Sequence, residues 1–472
     1  MLKIIFENTV KLIFTGEKMN DKPVRLEEDY ELIVNNYSHQ GEGIGRVNNF
    51  AVFVPGTILG EKVKVKITEV KKNFARGRLE EVILASPHRI KPLCPVYCLC
   101  GGCHLQHMAY EKQLEMKQEI VENALNRIGN QNIKALPTIG MKDPWRYRNK
   151  GYFQIDREKD RVQLGFYKAG SYDFVPAGGC ILFSLQINRL VGYLEDQLSL
   201  QKVTVYNSKT GEGNLRNVLI RESKSTGETM IVFFTKEYNL GFEQKILNDL
   251  VRIFPQVVSI YQNINRSPKA VLLGKNFRLL RGKPDLEDAL GPFKFKISPR
   301  SFFQVNAEQA ERLNEKVLEY ANLSGEETVI DSYCGTAAIS LYAAKQAKKV
   351  YGIEVEKSAI RDAKINCELN GISNLKLFSG KAEEWFYRWR KSGEEVHLVI
   401  VDPPRRGCSS KVLKGIIKIN PKKIIYISCN PATLARDLKY LTKDDDYKLK
   451  KVLPIDMFPQ TGHIECIACL DR

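Results

Sequence analysis

In Lys62-Val63-Lys64-Val65-Lys66-Ile67 apolar and charged residues alternate strictly, the pattern of a strand with one face buried and the other lined with lysine. Residues 31–34, 51–54 and 78–82 predict further strands around it, so 28–85 should form a small all-β unit of five or so strands. Gly41-Glu42-Gly43-Ile44-Gly45 has no helix pattern behind it and therefore reads as a hairpin turn, not a dinucleotide loop. Residues 106–129 predict a long helix over 110–128, ended by Gly129. Between Tyr147 and Phe295, the runs 218–221, 229–234 and 257–262 predict an antiparallel sheet with intervening helices. From about Ser301 the pattern changes. Apolar runs at 329–332, 350–353, 375–378, 398–401, 424–427 and 466–470 alternate with helical stretches, which implies a parallel sheet covered by helices on both faces.

That alternation gives particular residues a place. The run Ile425-Tyr426-Ile427 ends in Ser428-Cys429-Asn430-Pro431, and Asn-Pro stops the strand. Cys429 then falls just beyond a strand's carboxyl end, where open α/β sheets bind ligands. Asp402-Pro403-Pro404-Arg405 follows another apolar strand, and its paired prolines hold Asp402 at the sheet's edge. Glu465 is a lone acid at a third strand. Asp331 leads into Ser332-Tyr333-Cys334-Gly335, a glycine turn, and the next strand ends at Glu354. An acid about 20 residues after the first strand is placed to bind ribose hydroxyls. One glycine is too few for a pyrophosphate cradle, so the adenosine of S-adenosylmethionine fits better. Together these residues suggest covalent cysteine catalysis inside a methyltransferase-like domain.

The chain has 472 residues, enough for two to four domains. Its formal net charge of +17 favours a polyanionic partner such as nucleic acid. No stretch approaches a membrane span, and the opening Met1-Leu2-Lys3-Ile4-Ile5-Phe6 is interrupted by Glu7 and Lys11 and so fails as a signal peptide. Residues 1–22 are expected to be a disordered extension or, over 1–18, sequence upstream of a true start at Met19. A cytoplasmic protein follows, and its 11 cysteines are then metal ligands, nucleophiles or core filler before they are disulfides. Cys94, Cys98, Cys100 and Cys103 crowd into ten residues, a spacing that points to metal; zinc and a 4Fe–4S cluster both remain open. Cys334, Cys367, Cys408, Cys466 and Cys469 read as small buried apolar residues.

Five segments in order resemble the RNA uracil-carbon-5 (5-methyluridine) methyltransferases that carry a TRAM domain and an iron–sulfur cluster. They are Ser301-Phe302-Phe303-Gln304-Val305-Asn306, Asp331-Ser332-Tyr333-Cys334-Gly335, Asp402-Pro403-Pro404-Arg405, Ser428-Cys429-Asn430-Pro431 and Gly462-His463-Ile464-Glu465. The resemblance runs from about residue 25 to the end. It implies a multidomain chain: a TRAM (OB-like) RNA-binding β-barrel over 23–83, a central α+β domain with the Fe–S cluster over 84–300, and a Rossmann-like methyltransferase domain over 301–472. A helical segment 106–137 would pack on that last domain.

By the same resemblance Cys429 is the nucleophile that adds to carbon 6 of uracil, and Glu465 the base that removes the carbon-5 proton. His463 is a rival base that the family motif disfavours. Gln304, Tyr333, Glu354 and Asp402 map onto S-adenosylmethionine-binding positions. Cys94, Cys100, Cys103 and Cys180 map onto the 4Fe–4S ligands, which leaves Cys98 spare. Enzymes of the family that act on tRNA typically lack both the barrel and the cysteines, so 23S ribosomal RNA is the expected partner, bound by a monomer without an obligate protein partner. A tRNA methyltransferase is the alternative, and a non-catalytic RNA-binding or ribosome-assembly factor is the alternative of another class.

Overall fold

The computed structural model describes residues 22–472 except 268–273, 275 and 445. The extension expected over 1–22 therefore lies, save its last residue, outside the described residues. These residues divide into two units, 22–36 with 43–86 and 37–42 with 87–472. None of the described helices is long and apolar enough to cross a membrane.

A six-stranded sheet, all but its Tyr37 within the first unit, is made of β1 (Asp29–Ile33), β2 (Asn36–Tyr37), β3 (Gly43–Val47), β4 (Phe50–Val54), β5 (Lys62–Val70) and β6 (Phe74–Leu84), in the order β1-β5-β6-β4-β3-β2. Val63, Val65 and Ile67 of β5 are fully buried with Leu32, Val52 and Val54, as the alternation requires. The glycine run is turn only at its start: Gly41 (φ 82°) lies in the turn between β2 and β3, where its N donates to the Ser38 carbonyl at 3.0 Å, whereas Gly43 and Gly45 lie inside β3. A Cβ on Gly45 would stand 2.4 Å from Leu32 and 2.8 Å from the Ile33 carbonyl, so glycine is what lets β3 close on β1. Asn48 and Asn49 make the next hairpin turn, between β3 and β4, both with positive φ (47° and 65°). The lysine face is also less open than expected. Lys62 pairs with Glu31 at 2.7 Å, and Lys64 and Lys66 pair with Asp29 at 3.2 and 3.5 Å.

The second unit begins with α1 (Tyr110–Arg127). This helix ends where the pattern over 110–128 predicts; the wider segment 106–137 is not helical throughout, because past Gly129 the chain turns left-handed at Asn130 (φ 52°) and runs extended beside a later strand. Next come β7 (Lys150–Glu158), β8 (Arg161–Tyr167), β9 (Phe174–Pro176), α2 (Leu185–Leu200), β10 (Leu215–Glu222), β11 (Thr229–Thr235), α3 (Gln244–Ile253), β12 (Val257–Ile264) and β13 (Asn276–Gly282). They form a sheet ordered β13-β12-β11-β10-β7-β8-β9. It is mixed, not wholly antiparallel: α3 carries the chain across so that β12 pairs parallel with β11.

The C-terminal part holds β14 (Leu286–Leu290), β15 (Phe293–Ile297), α4 (Ala307–Ala321), β16 (Thr328–Ser332), α5 (Ala338–Ala344), β17 (Lys349–Glu354), α6 (Lys357–Leu369), β18 (Leu375–Ser379), α7 (Ala382–Ser392), β19 (Leu398–Val401), α8 (Ser410–Ile419), β20 (Lys423–Ser428), α9 (Pro431–Leu441), β21 (Lys448–Ile455) and β22 (Glu465–Asp471). The hairpin β14–β15 lies before the boundary expected at 300, yet Leu290, Phe293, Phe295 and Ile297 belong to the core of this part.

The large sheet runs β18-β17-β16-β19-β20-β22-β21. Five strands are parallel, as the alternation implies, but β22 is antiparallel to both β20 and β21. Sequence patterning missed β21 and with it this reversal. β22 enters between two strands that precede it, and because it runs backwards its first residue lies at the carboxyl edge of its neighbours. α1 packs on α9 and β21. There Lys117, fully buried, is ion-paired with Asp456, which also accepts a bond from Tyr110 Oη at 2.9 Å.

Candidate active site

Ser428 stands opposite Cys466 in the β20–β22 ladder. One residue outward on each strand lie Cys429 and Glu465, so the reversal of β22 brings the cysteine and the acid to the same edge. Cys429 occupies the link between β20 and α9. Asn430 caps that helix by accepting from Ala432 N at 3.0 Å, and Pro431 opens it. Asn430 Nδ2 and Thr433 Oγ1 both donate to the Arg405 carbonyl (3.2 and 3.1 Å), which ties the Asp402–Arg405 loop to the cysteine turn. Farther along the same loop, Cys408 N donates to Asp437 Oδ2 at 2.8 Å.

The charges at this edge act on one another. Burial, then Glu465 and Asp402, push the Cys429 thiol up to about 11, against an opposing pull from Arg405. Burial and Asp402 raise the Glu465 carboxyl well above the usual range, again opposed by Arg405. Burial of its own carboxyl lifts Asp402 to about 6. His463 goes the other way: burial, then Arg405, lower it to about 4, which leaves a neutral and weakly basic ring. Arg405 is thus the common counter-charge of the cluster. It was within the Asp402–Arg405 motif but received no role there; an exposed cation following a rigid Pro-Pro was the available signal.

The four residues expected to bind a cofactor fall around two adjoining cavities. Gln304, Tyr333 and Asp402 line a space of about 80 Å³, and Tyr333 and Glu354 line one of about 780 Å³, so Tyr333 belongs to both. Glu354 accepts from Gly335 N at 3.2 Å and Glu356 N at 2.8 Å, which fixes its carboxylate against the glycine turn. Within that turn Tyr333, Gly335 and Ala337 all have positive φ (69°, 55° and 70°). Such backbone costs about 1 kcal/mol or more at a non-glycine residue and gathers at functional sites. Asp331, which sequence reasoning left without a role, is fully buried below it with Oδ1 lacking a partner, and burial raises its carboxyl to about 7.

Cys94, Cys100, Cys103 and Cys180 line a separate cavity of about 230 Å³ with Arg148 and Tyr97. Cys98 is exposed and is not part of that lining. Burial raises the Cys100 and Cys180 thiols and pushes Cys103 up to about 12. Among the described residues, no three His, Cys, Asp or Glu side chains are grouped so as to hold a metal ion; the thiols surround a space without converging on a point. Just beyond Cys103, His104 N and Leu105 N both donate to the Gln460 carbonyl (2.8 and 3.0 Å). Gln460 also exchanges two bonds with Gln113 of α1, at 3.0 and 3.1 Å. The cysteine segment and the loop leading to Glu465 are therefore held to one another. Cys334, Cys367, Cys408, Cys466 and Cys469 are buried, as expected of core residues.

Residues 283–472 match the tRNA (Uracil-5-)-methyltransferase family, and residues 24–79 match the TRAM domain. An uncharacterized RNA methyltransferase of Clostridium tetani is 42% identical over 447 residues, covering 95% of this chain and 97% of the relative. One of Bacillus cereus is 41% identical over 451 residues, covering 95% and 98%. Among solved structures, the Pyrococcus abyssi tRNA (uracil-54, C5)-methyltransferase in complex with S-adenosyl-L-homocysteine is similar with a TM-score of 0.73 and 29% identity, covering 93% of this chain and 99% of that one.

Proposed function

Because the chain belongs to the family of RNA uracil-5-methyltransferases with a TRAM domain, we propose that it methylates carbon 5 of a uridine in 23S ribosomal RNA, acting as a cytoplasmic monomer. The observation that carries the reaction is the meeting of Cys429 and Glu465 at one sheet edge, with Asp402 and Arg405 in the same electrostatic cluster.

Gln304, Tyr333, Glu354 and Asp402 would hold S-adenosylmethionine in the cavities they line, where it would supply an electrophilic methyl group. Carbon 5 of uracil is a weak nucleophile, and a covalent partner at carbon 6 corrects this. Cys429 Sγ, as thiolate, adds to carbon 6, and the electron pair released into the ring lets carbon 5 take the methyl. Glu465 then accepts the proton of carbon 5, and the carbon–sulfur bond breaks to return the thiolate. The raised Glu465 carboxyl makes the stronger base, whereas His463, lowered to about 4, makes a poor one. The α9 N-terminus and Arg405 favour the thiolate against the neighbouring acids. The uracil must leave its stack to reach this edge.

Cys94, Cys100, Cys103 and Cys180 are the proposed ligands of a 4Fe–4S cluster with a structural or RNA-positioning role. A zinc ion needs its sulfurs about 2.3 Å from one point. Four thiols spread around one cavity suit a cluster, which also takes four cysteines.

The test is incubation of the protein and S-adenosylmethionine with ribosomal RNA fragments containing 5-fluorouridine. Fluorine at carbon 5 cannot leave as a proton, so a covalent protein–RNA adduct should accumulate, and Cys429→Ala should abolish it. No adduct with any fragment would favour a non-catalytic RNA-binding factor. A second reading, methylation of tRNA, is favoured by the Pyrococcus enzyme: it spans 93% of this chain, so its match must reach into the barrel, and the barrel alone does not separate the two substrates. Mapping 5-methyluridine in ribosomal and transfer RNA from cells with and without the gene decides between them.

A further inference from the structure

α7 and α8 lie side by side on the C-terminal sheet, so close that a Cβ on Gly415 would stand 3.0 Å from Phe386. Along them runs a groove of about 600 Å³ lined by Arg388, Arg390, Lys411, Lys414, Lys418 and Tyr387, with Glu383 and Glu384 at one end. The five cations are exposed, and among the described residues none of them is in an ion pair. This separates them from the lysines of β5, which Asp29 and Glu31 neutralise. Lys411, Lys414 and Lys418 recur at helical spacing and so form one line about 10 Å long on α8. Aromatic rings are interleaved: Arg388 lies over Trp385 at 4.5 Å, and Lys391 over Tyr387 at 4.7 Å, with Tyr387 57% exposed. Glu383 also lines the large cavity that holds Tyr333 and Glu354, so the groove starts next to that cavity and follows the helices away from it.

We infer that this groove is a second RNA contact surface, which binds the sugar–phosphate backbone of the substrate away from the target uridine. The inference rests on the RNA-methyltransferase reading of the chain. A row of cations without acidic partners attracts phosphates, and an exposed tyrosine among them offers a face on which a base can stack. A grip here serves the reaction without touching it, by holding the RNA while one nucleotide is drawn out of its stack.

The experiment compares the full chain with the triple variant Lys411→Gln, Lys414→Gln, Lys418→Gln, and with the matching triple Lys→Arg variant. RNA affinity and the KM for RNA are measured between roughly 50 and 200 mM salt. Each lost phosphate contact should reduce the slope of log affinity against log salt by about 0.7–0.9, so the glutamine triple should lose about 2 to 3 units of slope and weaken RNA binding roughly tenfold. Its kcat at saturating RNA and its affinity for S-adenosylmethionine should stay unchanged, and the arginine triple should behave as the parent. An unchanged salt slope in the glutamine triple, beside a parent that binds and methylates RNA, overturns the proposal. So does a variant that keeps its affinity for naked RNA but loses affinity for ribosomal particles, which would assign the face to a protein. A parent that binds no RNA overturns the underlying reading of the chain itself.

Discussion

Ser428 and Cys466 face one another across an antiparallel ladder, and this register makes neighbours of Cys429 and Glu465, the next residue outward on each strand. The acid raises the thiol by its charge, so removing that charge has two opposite effects. In the free protein, Glu465→Gln should lower the Cys429 thiol below about 11 and make it more reactive. Alkylation of Cys429, followed by mass spectrometry of its peptide, should rise about tenfold per pH unit up to the thiol value and level off at lower pH in the variant. With RNA and S-adenosylmethionine the same variant should stop turning over and accumulate the covalent adduct, because the carbon-5 proton has no acceptor. Retained turnover would move the base to another residue.

The Lys117–Asp456 pair is fully buried at the start of the loop that leads to Glu465. Lys117→Met should destabilise the protein by roughly 3–5 kcal/mol, since it strands a carboxylate in the interior. The double variant Lys117→Met, Asp456→Leu should recover most of that loss. Denaturant unfolding of the parent, single and double variants measures both; equal stability of single and double would mean that the pair is not the source.

Cys98 is exposed and does not line the cavity that the other four cysteines share. Anaerobically prepared protein should hold about four irons. Cys98→Ser should keep them, whereas serine at Cys94, Cys100, Cys103 or Cys180 should lose them and the associated visible absorption. Because Gln460 is tied to His104 and Leu105 just beyond Cys103, iron removal should also speed amide exchange in residues 456–465. Unchanged exchange there would separate the two segments.

Lys64 already has a partner in Asp29 at 3.2 Å. Its replacement by Gln should therefore reduce the salt slope of RNA binding less than replacement of any one of Lys411, Lys414 and Lys418. A larger loss at Lys64 would show that Asp29 gives way when RNA arrives.

What could be read from the chain follows from what local patterns encode. Val63, Val65 and Ile67 are buried as their alternation demands, and the strand-ending motifs at Asp402 and Cys429 lie at the sheet edge. Strand direction is another matter. The apolar run 466–470 looks the same in either orientation, and β21, with Lys450, Lys451 and Pro454 breaking its pattern, went unseen, so nothing signalled the reversal. Cross-strand pairs are equally hidden: Asp29 meets Lys64 and Lys66 only through the β1–β5 register, some 35 residues apart. The glycine run combines two uses that sequence alone does not separate: Gly41 sits in a turn, while Gly43 and Gly45 serve close approach between strands. The Asn48-Asn49 pair carries the signal of the following hairpin, since asparagine tolerates positive φ.

The insertion of β22 between β20 and β21 bears on how the protein is made. During synthesis β20 and β21 emerge before the strand that separates them, and that strand carries Glu465 as its first residue. A chain stalled before that point has the proposed nucleophile, Cys429, but neither the proposed base, Glu465, nor a finished sheet. The strand that completes the sheet is thus the one that brings the proposed base to the proposed nucleophile.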